Sequence, residues 1–306
     1  MPFAERLDAA VRRCRNPVLV GLDPRVECLP DGLLPAGAKT NASEIAGAVG
    51  RFCRGLIDVV APLVPAVKPQ AAFFEQLGPA GMTVLAEVIG YAGQKGLLVI
   101  LDGKRNDIGS TAAAYADGML GSAGQSVWGA DAATVSPYLG DDSLQPFIDV
   151  AMQRAAGIFV LVKTSNPGGR MFQDLTADGR PLYRHVAEYV EAQAAKTAGP
   201  CGFGAVGAVV GATYPAQLVE LRAAMPHTLF LVPGFGSQGG TAHDVAAAFD
   251  AEGRGAVVNN SRGIIFAHAG KRYAERFGAA RWQEAVEAAT RDMIDQLRAD
   301  TPAGKL

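Results

Sequence analysis

The sequence predicts an α/β fold, a (β/α)8 TIM barrel built as a single domain over residues 1–306, with long loops after strands 1 and 5. Three observations predict it. Eight short aliphatic runs recur along the chain, spaced widely enough for a crossover helix between them. The intervening stretches carry apolar stripes at helical spacing. The 306 residues exceed an ordinary domain but suit one barrel with insertions, and no low-complexity linker or shift in composition divides them.

The runs are PVLVGLD (17–23), VPAVKPQ (64–70), LLVILDG (97–103), AATVSPY (132–138), GIFVLVK (157–163), AVGAVVGA (205–212), LFLVPG (229–234) and GAVVNNS (255–261). Their nearly continuous hydrophobicity marks strands covered on both faces, as in a parallel sheet. The first helix is expected at 43–60. In the next, between Gly81 and Gly96, Met82, Leu85, Val88, Ile89 and Ala92 share one face. Further helices are expected at 110–121, 143–155, 182–197, 215–224, 241–251 and 281–298. Glycines at 168–169, 202–207 and 234–240 mark turns or loops. The connections 24–42 and 165–181 are longer than a minimal βα loop. At the C-terminal rim of a barrel they either cover a ligand or serve as decoration or oligomer contacts.

Lys and Arg number 28 against 30 Asp and Glu, a formal net charge of −2. That balance gives no general attraction to nucleic acid or an anionic membrane, so a small-molecule partner held by a local site is expected. Cys14, Cys28, Cys53 and Cys201 lack CxxC spacing, and MPFAERLDAAVRRCRN lacks the apolar run of a secretory signal, which points to a reducing, cytoplasmic setting. No apolar stretch approaches the roughly 20 residues that cross a bilayer. His185, His227, His243 and His268 are scattered without metal-ligand spacing and are expected on the surface or in caps.

LLVILDGKRNDIGST concentrates the functional signal. Asp102 and Lys104 stand two residues apart at the end of an apolar strand, so their side chains leave on the same side. At a barrel mouth that side can be the interior, where burying both charges is costly unless a site uses or pairs them. Asp107 lies just beyond. Taken alone, Asp-x-Lys is more readily read as a solvated ion pair at a strand end than as a site. Glycine-rich 234–240 is by itself turn punctuation, Arg262 a surface charge, and Ser165 and Gln238 polar loop residues.

Asp-x-Lys-x-x-Asp-Ile followed by Thr111 resembles the signature of orotidine monophosphate decarboxylases, and the family's other pieces follow in order on successive strands. The resemblance implies a cofactor-free, metal-free carboxy-lyase that makes UMP and CO2 in de novo pyrimidine biosynthesis. In its terms Asp23, in VGLDP, binds ribose, and Lys68, in AVKPQ, contacts both ribose and the catalytic acid. Asp102 sits beside the substrate's carboxylate, and Lys104 protonates C6. Asp107, Ile108 and Thr111 reach across a homodimer interface into a shared active site. Ser165 binds the pyrimidine. Pro233, Gly234, Gly236 and Gln238, with Arg262 on the next strand, grip the phosphate, a common use of the loops after strands seven and eight in a barrel. The length, Lys68-Pro69-Gln70 and Asp-Gly-Lys-Arg-Asn-Asp look like the longer bacterial subgroup. The chain departs from many members in Ser261, which precedes Arg262 where glycine is common, and in a long 165–204 region.

Three other readings compete. A magnesium-dependent sugar-phosphate enzyme on a related barrel carries metal acids at the end of strand two, where this chain has Lys68-Pro69-Gln70 and only Glu75 further on. A Schiff-base aldolase needs Lys104 as a neutral amine, which two flanking acids disfavour. A catalytically idle nucleotide-binding barrel has no evident use for such a lysine.

Overall fold

The computed structural model describes residues 1–34, 41–122, 124–236 and 239–306. Each of the eight aliphatic runs contains a strand: β1 (Val18–Leu22), β2 (Ala66–Pro69), β3 (Leu98–Arg105), β4 (Ala132–Val135), β5 (Gly157–Lys163), β6 (Val206–Val210), β7 (Phe230–Val232) and β8 (Ala256–Asn260). All pair in parallel in chain order, and β1 pairs with β8 through Val18–Val258 to close the barrel. The chain is thus the (β/α)8 barrel that the sequence predicts.

The helices follow the stripes closely. They span Ala42–Val60, Gly78–Gln94, Gly109–Met119, Asp141–Gln153, Leu182–Thr197, Pro215–Ala224 and Trp282–Asp300. The exception is 241–251, which is helical only over Ala242–Val245 and then tightens to a 3-10 turn at Ala246–Ala248. A capping box between Thr241 and Asp244 starts this segment, and Phe249 ends it by turning extended with its ring buried in the core. The connection after β5 holds short structure of its own: a 3-10 turn at Pro167–Gly169, a helical turn at Arg170–Gln173, and a ribbon pairing Thr176–Ala177 with Arg180–Pro181. Among the described residues no helix is long and apolar enough to cross a membrane.

Helix Phe3–Cys14 and the shorter helix Lys271–Phe277 were not anticipated from the sequence. Helix Phe3–Cys14 buries Phe3, Leu7 and Val11 together with Leu19, Ile100, Phe159, Leu229 and Val257. Phe3 meets Phe159 edge-on with ring centroids 6.0 Å apart. Gly157 permits this approach, since a Cβ there would lie 2.2 Å from the Phe3 ring. The helix therefore plugs the N-terminal end of the barrel.

The strands also explain where a site can form. Leu19, Ala66, Ile100, Ala132, Val209, Leu231 and Val257 pack with the plug, whereas Val18, Val67, Val99, Leu101, Ala133 and Val258 join the larger cluster that includes the helices. The first set faces the lumen and the second faces outward, with the period of two that a strand imposes. Two residues further along the lumen-facing positions, Ala66 gives way to Lys68, Ile100 to Asp102, Ala132 to Thr134 and Val257 to Asn259. The lumen is apolar at its N-terminal end and polar at the other.

Candidate active site

The polar end opens into a cavity of about 570 Å³, within the range of small-molecule sites. Asp23, Lys68, Asp102, Lys104, Ser165, Pro233, Gly234 and Arg262 all line it, so residues separated by up to 239 positions converge. Its centre is Asp102, only 6% exposed. One carboxylate oxygen accepts from Lys68 Nζ at 2.8 Å and Gln70 Nε2 at 3.0 Å. The other accepts from Lys104 Nζ at 2.6 Å and Thr134 Oγ1 at 2.8 Å. Four donors thus saturate a buried anion that would otherwise be prohibitive.

The neighbouring strand ends account for this geometry. A bridge between Gln70 and Asp102 resumes the pairing of β2 and β3 in the same register, three residues beyond Val67–Val99, bringing Lys68 and Gln70 against the carboxylate. Lys104 has a left-handed backbone with φ of 48°, a conformation that costs a β-carbon residue about 1–2 kcal/mol. Its N–H donates to Thr134 Oγ1 at 3.0 Å, which leaves the Thr134 hydroxyl hydrogen for Asp102. The turn lets the Lys104 ammonium fold back onto Asp102 while staying at the open end of the cavity.

The charges follow from the surroundings. Burial works to raise the Asp102 pKa, but the ammonium groups of Lys68 and Lys104 overcome it and hold the carboxyl well below its ordinary range. Burial likewise works to lower the Lys68 pKa, and Asp102 with Asp23 overcomes that and raises it. Both groups are therefore charged at neutral pH.

Two polar atoms beside this cluster lack protein partners. Asp23 Oδ1 and Asn259 Oδ1 are buried without a hydrogen bond, and both residues line the cavity. Such atoms call for an explanation, and the hydroxyl groups of a ligand would supply it. Gly21 makes room here: a Cβ would lie 1.9 Å from Ser261 Oγ and 3.1 Å from Asn259 Oδ1.

Pro233, Gly234, Phe235, Ser261 and Arg262 complete this part of the lining. Gly234 and Gly236 adopt φ of 102° and 71°, left-handed values that favour glycine. Gly236 shapes this turn through its N–H to the Gly240 carbonyl at 2.8 Å without lining the cavity. Gln238 lies outside the described residues.

Asp107, Ile108 and Thr111 are not brought to the cavity of their own chain. Asp107 Oδ1 accepts from the Ile108 N–H at 2.8 Å, and Ile108 is 57% exposed at the start of helix Gly109–Met119. Among the histidines, His268 departs from the expected surface role. It is buried, and desolvation lowers its pKa. Among the described residues no group of three or more His, Cys, Asp or Glu side chains is arranged to hold a metal ion.

Gln70, Thr134, Asn259 and Phe172 also line the cavity and had no role in the sequence reading. For three of them a signal existed: a polar residue at a lumen-facing position near the C-terminal end of an apolar run. Phe172 carried none, because its place depends on the course of the connection after β5.

Comparison with known proteins bears on this arrangement. The family model described as "Orotidine 5'-phosphate decarboxylase / HUMPS family" matches residues 17–277. Orotidine 5'-phosphate decarboxylase of Rhodopirellula baltica is 59% identical over 300 residues, covering 97% of this chain and 99% of the relative. The enzyme of the same name from Deinococcus radiodurans is 42% identical, covering 87% and 89%. Among solved structures, Leishmania donovani OMP decarboxylase aligns with a TM-score of 0.75 at 35% identity, covering 98% of this chain and 99% of that one. A putative orotidine 5'-phosphate decarboxylase from Streptomyces avermitilis gives 0.78 at 34% identity, covering 98% and 95%.

Proposed function

The chain belongs to the orotidine 5'-phosphate decarboxylase family, and from that premise we propose that its cavity binds orotidine 5'-monophosphate with Lys104 aimed at the reacting carbon. The activity is that of a carboxy-lyase of pyrimidine biosynthesis. The bond between C6 and the carboxylate breaks, CO2 leaves, and the electron pair left on C6 takes up a proton to give UMP.

The observation that carries the assignment of roles is the buried carboxylate of Asp102 with an ammonium on either side, at the mouth of the cavity. A C6 carbanion lies on an sp2 carbon with no ordinary electron sink, so the site must lower the barrier by roughly 20 kcal/mol or more. Lys104 Nζ, half-exposed toward the cavity, stabilises the developing charge and then donates the proton. Asp102 orients that ammonium and stands near the departing carboxylate, where their repulsion is relieved as CO2 forms. Lys68 offsets the negative charge of Asp102 without leaving its buried position. Asp23 Oδ1 takes a ribose hydroxyl, Ser165 a polar edge of the pyrimidine, and Arg262 with Gly234 and Gln238 the phosphate. Phosphate binding, remote from C6, contributes by holding the base against the charged cluster.

The functional unit in this reading is a homodimer with shared sites. The exposure of Ile108 and Thr111, which follow Asp107 in the chain and do not line the chain's own cavity, supports it. Asp107 then completes the charged cluster of a second copy. In this reading the enzyme works in the cytoplasm, a reducing setting that suits the free thiols of Cys14, Cys28, Cys53 and Cys201.

The test is to follow loss of the orotate absorbance after mixing purified protein with orotidine 5'-monophosphate in EDTA. Turnover that survives EDTA and disappears in Lys104→Ala is expected. An inert wild-type protein, or an active Lys104→Ala variant, overturns the reading.

A further inference from the structure

Among the described residues the reaction leaves one buried charge, Lys163, unused. Lys163, the last residue of β5, is 0% exposed, yet it does not line the cavity that Leu161 and Ser165 on either side of it reach. A register shift between β5 and β6 falls between Leu161 and Lys163 and breaks the lumen-facing alternation there. The ammonium instead lies between the rings of Tyr183 and Tyr214, 5.3 and 4.7 Å from their centroids, and pairs with Asp174. Glu220 accepts from the Tyr183 hydroxyl at 3.0 Å and so fixes one of the rings. A buried ammonium without pairing is strongly unfavourable, so this surround commits Asp174 to one position.

We infer that Lys163 and Asp174 form a clamp that holds the 165–172 segment in its ligand-binding shape, making both of them positioning residues for the pyrimidine end of the substrate. The two ends of this segment are joined twice. Beside the ion pair, the Thr164 N–H donates to Gln173 Oε1 at 3.0 Å, and Gln173 Nε2 donates back to Thr164 Oγ1 at 2.8 Å. The loop between them carries Ser165, Asn166 and Phe172 to the cavity wall. The β6 side braces the same backbone: Thr213 Oγ1 donates to the Ser165 carbonyl at 2.9 Å, and the Gly211 N–H donates to the Lys163 carbonyl at 2.7 Å. Gly211 has no room for a side chain, because a Cβ would lie 2.7 Å from Ser165 Cα. Ser165 is therefore held from below by β6 and from its flank by the clamp. A preformed loop avoids the entropy of ordering it at each binding event.

This inference rests on the reading of Ser165 as the pyrimidine contact, so turnover of orotidine 5'-monophosphate by the wild-type protein is measured first; its absence overturns that reading and this one together. The inhibition constants of UMP and of ribose 5-phosphate are then compared in wild type, Asp174→Asn and Lys163→Met. Asp174→Asn leaves the buried Lys163 ammonium facing an amide, whereas Lys163→Met removes that charge, so thermal melts identify the folded variant and the same loss is expected in either. In Asp174→Asn the constant for UMP is expected to rise about fivefold or more, the scale of one lost charge-assisted hydrogen bond, while that for ribose 5-phosphate stays within about twofold. Unchanged UMP inhibition in an active enzyme overturns the clamp alone. An equal loss for both ligands also overturns it, because a general loosening of the barrel does not distinguish the base from the sugar phosphate.

Discussion

Asp102→Asn tests the charged cluster most directly. In the native protein all four partners of Asp102 donate: Lys68 Nζ, Gln70 Nε2, Lys104 Nζ and Thr134 Oγ1. An amide presents one oxygen and one NH2, so whichever way it is turned two donors face another donor. Lys104, half-exposed, swings into solvent, but Lys68 at 4% exposure has no such escape. Stranding a buried charge in this way costs about 3–5 kcal/mol, tempered by the remaining carboxylate of Asp23. At roughly 2 °C per kcal/mol for a chain of this size, the melting temperature falls by about 6–10 °C at pH 7. The pH dependence changes sign as well. The native Lys68 pKa is raised above 10.5, so its charge stabilises the fold below that value and the contribution is lost as pH rises through the native pKa. In the variant, burial opposite an amide lowers the Lys68 pKa, and stability should recover as pH rises through that lowered value. Thermal melts of both proteins from pH 7 to 10 read this directly, and decarboxylation should fall by about 10²–10³-fold alongside. A variant that melts within a degree of wild type, or whose melting temperature gains nothing on the native protein's between pH 7 and 10, would refute the reasoning.

Three further outcomes follow from the same structure. Mixing Lys104→Ala with Asp107→Ala subunits should restore about a quarter of wild-type activity, since half of the dimers are then mixed and each holds one intact site; no recovery in confirmed mixed dimers removes Asp107 from the neighbouring site. Gly21→Ala should destabilise the protein by about 1–3 kcal/mol in denaturant unfolding, because its Cβ would sit 1.9 Å from Ser261 Oγ, and Ser261→Gly in the same chain should relieve much of that loss. Phe3→Ala should cost about 3–5 kcal/mol by emptying the plug over Phe159, with kcat little changed because the plug lies at the far end of the lumen from Asp102; additive effects of the two Gly21 and Ser261 changes, or a stable Phe3 variant, would count against the packing described.

Hydrophobic period and run length are local properties, and they sufficed for the eight strands, their order, and seven of the eight helices between and after them. They also placed Asp102 and Lys104 at a strand end on the lumen side, because a strand's alternation carries a charged residue inward whether or not its partner is known, while Lys68 was singled out by the family resemblance. Three things lay beyond them. Helix Phe3–Cys14 has an ordinary amphipathic pattern, and only a closed barrel offers it a hole to fill. The four donors around Asp102 come from three strands, so which donors meet depends on inter-strand register, a sum over contacts between residues up to 34 positions apart. Lys163 continues an inward alternation by sequence, yet a register shift at the end of β5 turns it out among Tyr183, Tyr214 and Asp174. The sequence by itself thus determined the barrel and the acids and lysines at its mouth, since period-two burial acts within each strand. Tertiary structure alone decided what each charge touches, since closure and register are set by residues that no local pattern connects.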